Sequence, residues 1–380
     1  MRYQWDISTI RMHKEVLEEL LNKEIDPDKK RVISLLINQY RNLLSQFLAS
    51  KTKTANSFLI YDNSFDTCLN TLNECFCFPH HIDDNLFQII INTLDIIRKK
   101  LNGSIIITEP KRIFYTNDDL KDFVLDFFRE MLNSEEQNNV FNIFEGNVLN
   151  IQFTKENNLK YSGVTFYDPV FKKHFVNLFR DNTILDLVTV IHEIFHVLYG
   201  NNSFKNDYYD NQIYFIEELE GSFANLLVSE YLKRYFPSYE IYDSIDCYYL
   251  LEYLEKTLEL FISYVALKSI NNRNELRIPK INKSLKRENL ALSFKTEQEI
   301  LDYLRTPVYE NVCYNLSYLA SLDLFSVYKD DKEYGISLLK EVKSNSYQEN
   351  IIEFLRSKSF SFMDDGYENL KKETQKVKLL

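Results

Sequence analysis

Seven glycines and seven prolines in 380 residues leave this chain few places to turn sharply. Glycine supplies left-handed backbone and proline stops a helix, so a sequence poor in both favours long helices. A many-turned β sandwich or a glycine-looped dinucleotide fold would need more of each. At 45% hydrophobic residues the chain can bury a sizeable core, and its length permits one to three domains. The 26 tyrosines come with abundant Asn, Lys, Ile and Phe; this is a compositional bias and implies no adhesive surface.

Apolar periodicity places the elements. Val32, Leu35, Leu36, Tyr40, Leu43 and Leu44 recur at helical spacing, and residues 7–50 read as two helices broken near "EIDPDKK". Helices also fit 83–101, 118–133, 213–235, 244–269, 297–304, 308–327 and 346–357. The segment "SIIITEP" reads as a short strand. "NVFNIFEGNVLNIQFT" (139–154) and "YSGVTFYDP" (161–169) read as a small sheet or hairpin. The expected architecture is therefore mainly α, with a small β-sheet preceding the helix at 189–200. A helical N-terminal region (1–138) leads into a central region (139–345) holding the sheet and the site helices, then a C-terminal helix and charged tail (346–380).

A formal charge of −11 repels a phosphate backbone, so nucleic acid is a poor partner. Five irregularly spaced cysteines fit free cytosolic thiols better than a disulfide framework, and Cys75 and Cys77, beside His80 and His81, read as loop or core residues. The N-terminus becomes charged before any long apolar run, which fits neither a signal peptide nor a membrane span. The expected protein is soluble and cytoplasmic, with no membrane partner and an oligomeric state that the sequence leaves open. Glycine-rich phosphate loops are absent.

Chemistry concentrates in "TVIHEIFHVLYG", residues 189–200. His192 and His196 are one helical turn apart on one face, so both imidazoles can reach a single zinc ion. Glu193 lies beside that face, where its carboxylate can take a proton from water activated by the metal. The helix is otherwise strongly apolar, and buried polar groups need partners; one zinc per chain would explain all three together. A catalytic zinc needs a third protein ligand and an open position. No histidine follows His196. Glu217, Glu218 and Glu220 on the next helix are the candidates, and Glu217 and Glu220 share a face more nearly than either does with Glu218.

"LDLVTVIHEIFHVLYG" and "IYFIEELEGSFANLLVSEYL" resemble the zinc helix and downstream ligand helix of gluzincin metallopeptidases of the thimet oligopeptidase/oligoendopeptidase F family. The resemblance covers mainly residues 160–235 and implies a zincin-like helical metallopeptidase that cleaves short peptides. Aligned on Asn225-Leu226-Leu227, it places the third ligand at Glu217. "KYSGVTFYDP" is similar to the family's strand before the zinc helix, which implies that the edge at Gly163 pairs with substrate backbone. "TPVYENVCYNLSYLASLDLF" resembles the tyrosine-rich segment, implying Tyr318, with Tyr314 and Tyr309 nearby, as hydrogen-bond donors to the developing oxyanion. The pattern departs in two places: Phe195 stands where the family has glycine, and Val308 where it has histidine. These departures motivate the alternative of a catalytically inactive, zinc-stabilised domain that binds peptide or protein.

Overall fold

The computed structural model describes residues 112–145, 149–153, 163–168, 173–180, 182–199, 211–237, 241–267, 276–297, 308–345 and 351–362. It also describes 14, 15, 17–19, 21–25, 30, 37, 91–95, 269, 299, 300, 370 and 372. The expected strand at 104–110, the C-X-C pair, the loop 201–210 and Gly200 lie outside these residues. The chain forms two compact units, each assembled from non-consecutive stretches. One comprises residues 1–61, 110–241 and 336–347; the other comprises 62–109, 242–335 and 348–380.

In the first unit, α1 (Asn117–Phe127) opens on a capping box: Asp119 N–H donates to Thr116 Oγ1 at 3.1 Å, and Thr116 N–H to Asp119 Oδ2 at 2.7 Å. A π-helical turn, Phe128–Leu132, extends it, and α2 (Ser134–Glu145) follows. Strands β1 (Leu149–Phe153), β2 (Gly163–Asp168) and β3 (Lys173–Arg180) precede α3 (Ile184–Tyr199) and α4 (Asn211–Tyr235). The second unit contains most of α5 (Ile241–Leu267), with α6 (Ile278–Arg287), α7 (Val308–Asp330) and α9 (Ile351–Ser357). Helix α8 (Lys332–Ser344) returns the chain to the first unit.

The mainly α architecture is as expected; the β part needs correction. Residues 139–145 are helical, so the expected strand material there belongs to α2. Asn133 caps that helix by accepting from Glu136 N–H at 2.9 Å, and Val140 and Ile143 bury one face at helical spacing. No hairpin joins 139–154 to 161–169. Both flanking strands pair instead with β3, in the order β1-β3-β2, parallel to β1 and antiparallel to β2. The central strand carries Val176 and Leu178, two residues apart and both fully buried. Helices α2, α6 and α8 also extend the expected set.

The sheet positions the motif helix directly. After β3 the chain turns through Asn182, with φ of 57°, and enters α3. Buried Asp186 in the first turn accepts from Asn182 N–H at 2.8 Å and from Tyr115 OH at 2.5 Å. Helix α3 then runs against β2, β3 and α4. Its apolar sides, including Val188, Val190, Ile191 and Ile194, are buried.

Candidate metal centre

His192, Glu193 and His196 sit mid-helix on α3, as the four-residue spacing requires. The two imidazole rings meet edge to face, 4.7 Å between centroids at 89°. The carboxylate that joins them is Glu218. One donor atom from each of His192, His196 and Glu218 lies within 4.8 Å of the other two, and His192 Nε2 is 3.9 Å from Glu218 Oε2. The resemblance pointed to Glu217; the carboxylate that lies with the two imidazoles here is its neighbour Glu218, about 100° further around α4. Glu217 is half-buried outside the cluster, and burial pushes its carboxyl up to about 7, opposed by Lys343.

The donor set fits zinc. Two imidazoles and one carboxylate form a recurring catalytic zinc set, and tetrahedral bonds of about 2.0–2.1 Å would bring the donors to roughly 3.4 Å apart. Both imidazoles are partly exposed, so the cluster is not sealed on all sides. Among the described residues this is the one cluster of three or more such ligands.

Residues that the motif does not name support it. His192 Nδ1 is 3.3 Å from Asn225 Oδ1; with the amide oxygen accepting, Nδ1 carries the proton and Nε2 keeps its lone pair for the metal. Gly221 lies flat under the same ring: an added Cβ would stand 2.3 Å from His192 Cε1 and 2.5 Å from Nε2. Glu218, Gly221 and Asn225 follow the i, i+3, i+7 spacing of one helix face. A lone glycine inside a helical pattern was the available signal for this close approach.

Glu193 is buried and takes its partner from the sheet. Thr165 Oγ1 on β2 is 2.6 Å from Glu193 Oε2 and 3.0 Å from Glu193 O, within donating reach of both. Burial pushes the Glu193 carboxyl up to about 7, and the Thr165 hydrogen bonds pull it back toward the ordinary range. Gly163 on β2 gives this carboxylate room, since a Cβ there would come within 2.8 Å of Glu193 Cγ and 2.7 Å of Thr189 Cγ2. Its observed backbone pairing is with Leu178 on β3.

The Phe195 ring is fully buried, 5.5 Å from Phe128 and 5.3 Å from Tyr199 between centroids. It fills core space. In the second unit, half-buried Tyr318 stacks on Tyr253 at 4.8 Å, and Lys256 Nζ lies 3.2 Å from the centroid of the Tyr314 ring. The side chain of Tyr309 is outside the described set.

No family model matches the chain, and no curated protein matches it by sequence. Solved structures match it in fold. An oligoendopeptidase F from Bacillus anthracis str. Ames aligns with a TM-score of 0.54 at 11% identity, over 99% of this chain and 75% of its own. A second structure designated oligoendopeptidase F gives 0.57 at 10% identity, over 92% and 69%. Pz peptidase A with an inhibitor gives 0.54 at 11% identity, over 98% and 66%. The chain thus has a fold similar to that of these structures. No described helix is long and apolar enough to cross a membrane.

Proposed function

We propose that this protein is a zinc-dependent endopeptidase acting on short peptides. The observation that carries the reading is the convergence of His192, His196 and Glu218 beside a buried Glu193 whose carboxyl lies near neutrality. A zinc ion held by those three side chains would supply Lewis-acid polarisation of a peptide carbonyl and acidify water. Glu193 takes the proton of the attacking water at a carboxylate oxygen and returns it to the leaving amine, both of which a group near 7 can do. Thr165 orients that carboxylate. Asn225 holds the His192 tautomer, and Gly221 lets the ring lie against α4.

The fold likeness to oligopeptidases supports peptide as the substrate class. Strand β2 is an outer strand of the described sheet, which suits main-chain pairing with an extended peptide near Gly163. The oxyanion role of Tyr318, with Tyr314 as the neighbouring candidate, rests on the sequence resemblance. Phe195, the main sequence argument for an inactive binding domain, is occupied in core packing.

The decisive experiment measures zinc per chain and cleavage of a quenched peptide library by the native protein and by Glu193→Gln. One zinc in each, with cleavage falling at least about a hundredfold in the variant, is the expected result. Equal cleavage by both would remove Glu193 from the mechanism. One zinc with no cleavage by either would establish the binding domain instead.

A further inference from the structure

Residues 277–287, "RIPKINKSLKR" in the second unit, hold five cations and no acid in a chain of net charge −11. Folding gathers them. At about 100° per residue, Lys280, Lys283, Lys286 and Arg287 of α6 fall within about 120° of arc. They stand opposite Ile281 and Leu285, which are fully buried. All four are exposed, as is Arg277 just before the first turn.

The inner side of α6 holds this face in place. Asn282 Nδ2 donates to the carbonyl of Phe294 at 2.7 Å, and its Oδ1 accepts from Phe294 N–H at 2.9 Å. The helix stops at Asn289, with φ of 54°, where Leu290 N–H donates to Leu285 O and Asn289 N–H to Lys286 O, both at 3.0 Å. Helical stability does not account for the stripe. Lys286 and Arg287 suit the negative end of the helix dipole, but Lys280 stands in the first turn, near the positive end. Lys283 also repels Lys280 and Lys286 from three residues away on either side. The bordering acids are engaged: Glu288 pairs with Arg287 at 3.1 Å, while Glu297 and Glu299 accept from the N–H groups of Leu276 and Lys295.

The stripe is about 15 Å long from Arg277 to Arg287. A nucleic acid or an anionic bilayer extends well past that length and would meet a chain that is otherwise strongly acidic. Along 276–297 no large apolar or aromatic side chain is exposed to enter a bilayer or stack on a base. A short acidic segment needs neither, and its charge complements the stripe alone. We propose that the basic face of α6 is a docking surface for an acidic peptide segment of a partner protein, one presenting roughly three to five carboxylates over about 15 Å. Docking there is independent of the zinc reading.

Fluorescence anisotropy of labelled hexa-D-glutamate, a probe that resists peptidases, tests this on the full chain at low salt. The native protein is compared with Lys283→Glu/Lys286→Glu and with a control of equal net charge, Arg234→Glu/Lys329→Glu, whose positions are exposed outside α6. The α6 variant is expected to lose about tenfold or more in affinity and the control less than about twofold, with native binding weakening as salt is raised. Equal losses in the two variants would assign binding to bulk charge and overturn the proposal. So would no binding of the probe by the native chain. Tighter α6-dependent binding of oligothymidylate or of phosphatidylserine vesicles overturns the choice of an acidic peptide. A salt-sensitive dimer of the native chain that the α6 variant abolishes makes a second copy the occupant, and overturns it too.

Discussion

Glu217 and Glu218 differ by one position and by about 100° around α4, and that rotation separates a side chain in the cluster from one beside it. Glu218→Gln is expected to weaken zinc binding by at least about a hundredfold, since it removes a ligand rather than a supporting partner. Glu217→Gln should leave affinity close to native; chelator competition on both variants decides between them. Gly221→Ala gives an independent check. Its new methyl would occupy the space of the His192 ring, whose atoms lie 2.3–2.7 Å from an ideal Cβ. The ring must move, so zinc binding is expected to fall by about tenfold or more while the helix itself gains propensity. Thr165→Val removes a hydroxyl of nearly the same volume and leaves a buried Glu193 oxygen without its hydrogen bond. Peptide turnover is expected to drop at least about tenfold with zinc content unchanged, and Thr165→Ser should restore much of it.

Among the elements, the long helices were legible from apolar periodicity and the scarcity of breakers. The expected 213–235 and 308–327 agree with Asn211–Tyr235 and Val308–Asp330 to within three residues at each end. The β region was harder to read. The "VFNIF" stretch of α2 has the side chains of a strand, yet Asn133 and the acidic first turn start a helix, and burial of Val140 with Ile143 completes it. Strand β3 was missed because Lys, His, Asn and Arg interrupt it; its burial comes from β1 and β2 pairing on either side. Helix α3 depends on its packing as well as its motif. Phe195→Ala is expected to cost about 3–5 kcal/mol of stability by opening a cavity beside Phe128 and Tyr199. Denaturant unfolding measures that cost, and zinc stoichiometry should remain at the native value because the ring packs into the core.

At the scale of the molecule, the metal cluster joins two helices that the chain connects only through residues 200–210. A bound ion that prefers the folded state stabilises it by mass action, about 2.7 kcal/mol at a free concentration one hundred times its dissociation constant. Removing metal with a chelator should lower the thermal unfolding midpoint by several degrees, roughly 2–4 °C per kcal/mol for a unit of this size. Readdition of zinc should restore it, and Glu218→Gln should show almost no shift on either treatment. Differential scanning fluorimetry suffices for all three. An equal drop on chelation of Glu218→Gln would mean that metal stabilises the chain elsewhere.

The sequence by itself determined the helical bulk of the protein and the pairing of His192 with His196. Both follow from spacings within one element, where 3.6 residues per turn converts position into direction. It also narrowed the third carboxylate to three neighbours. Which of them lies beside the imidazoles is a matter of tertiary structure, because it depends on how α4 is rotated against α3. That rotation is set where the two helices meet, with Gly221 against the His192 ring and Asn225 at its Nδ1. The same holds for Lys343, which lies 145 residues from Leu198 in sequence and is brought to its carbonyl by the fold. No local periodicity records such a contact; packing of the helices creates it.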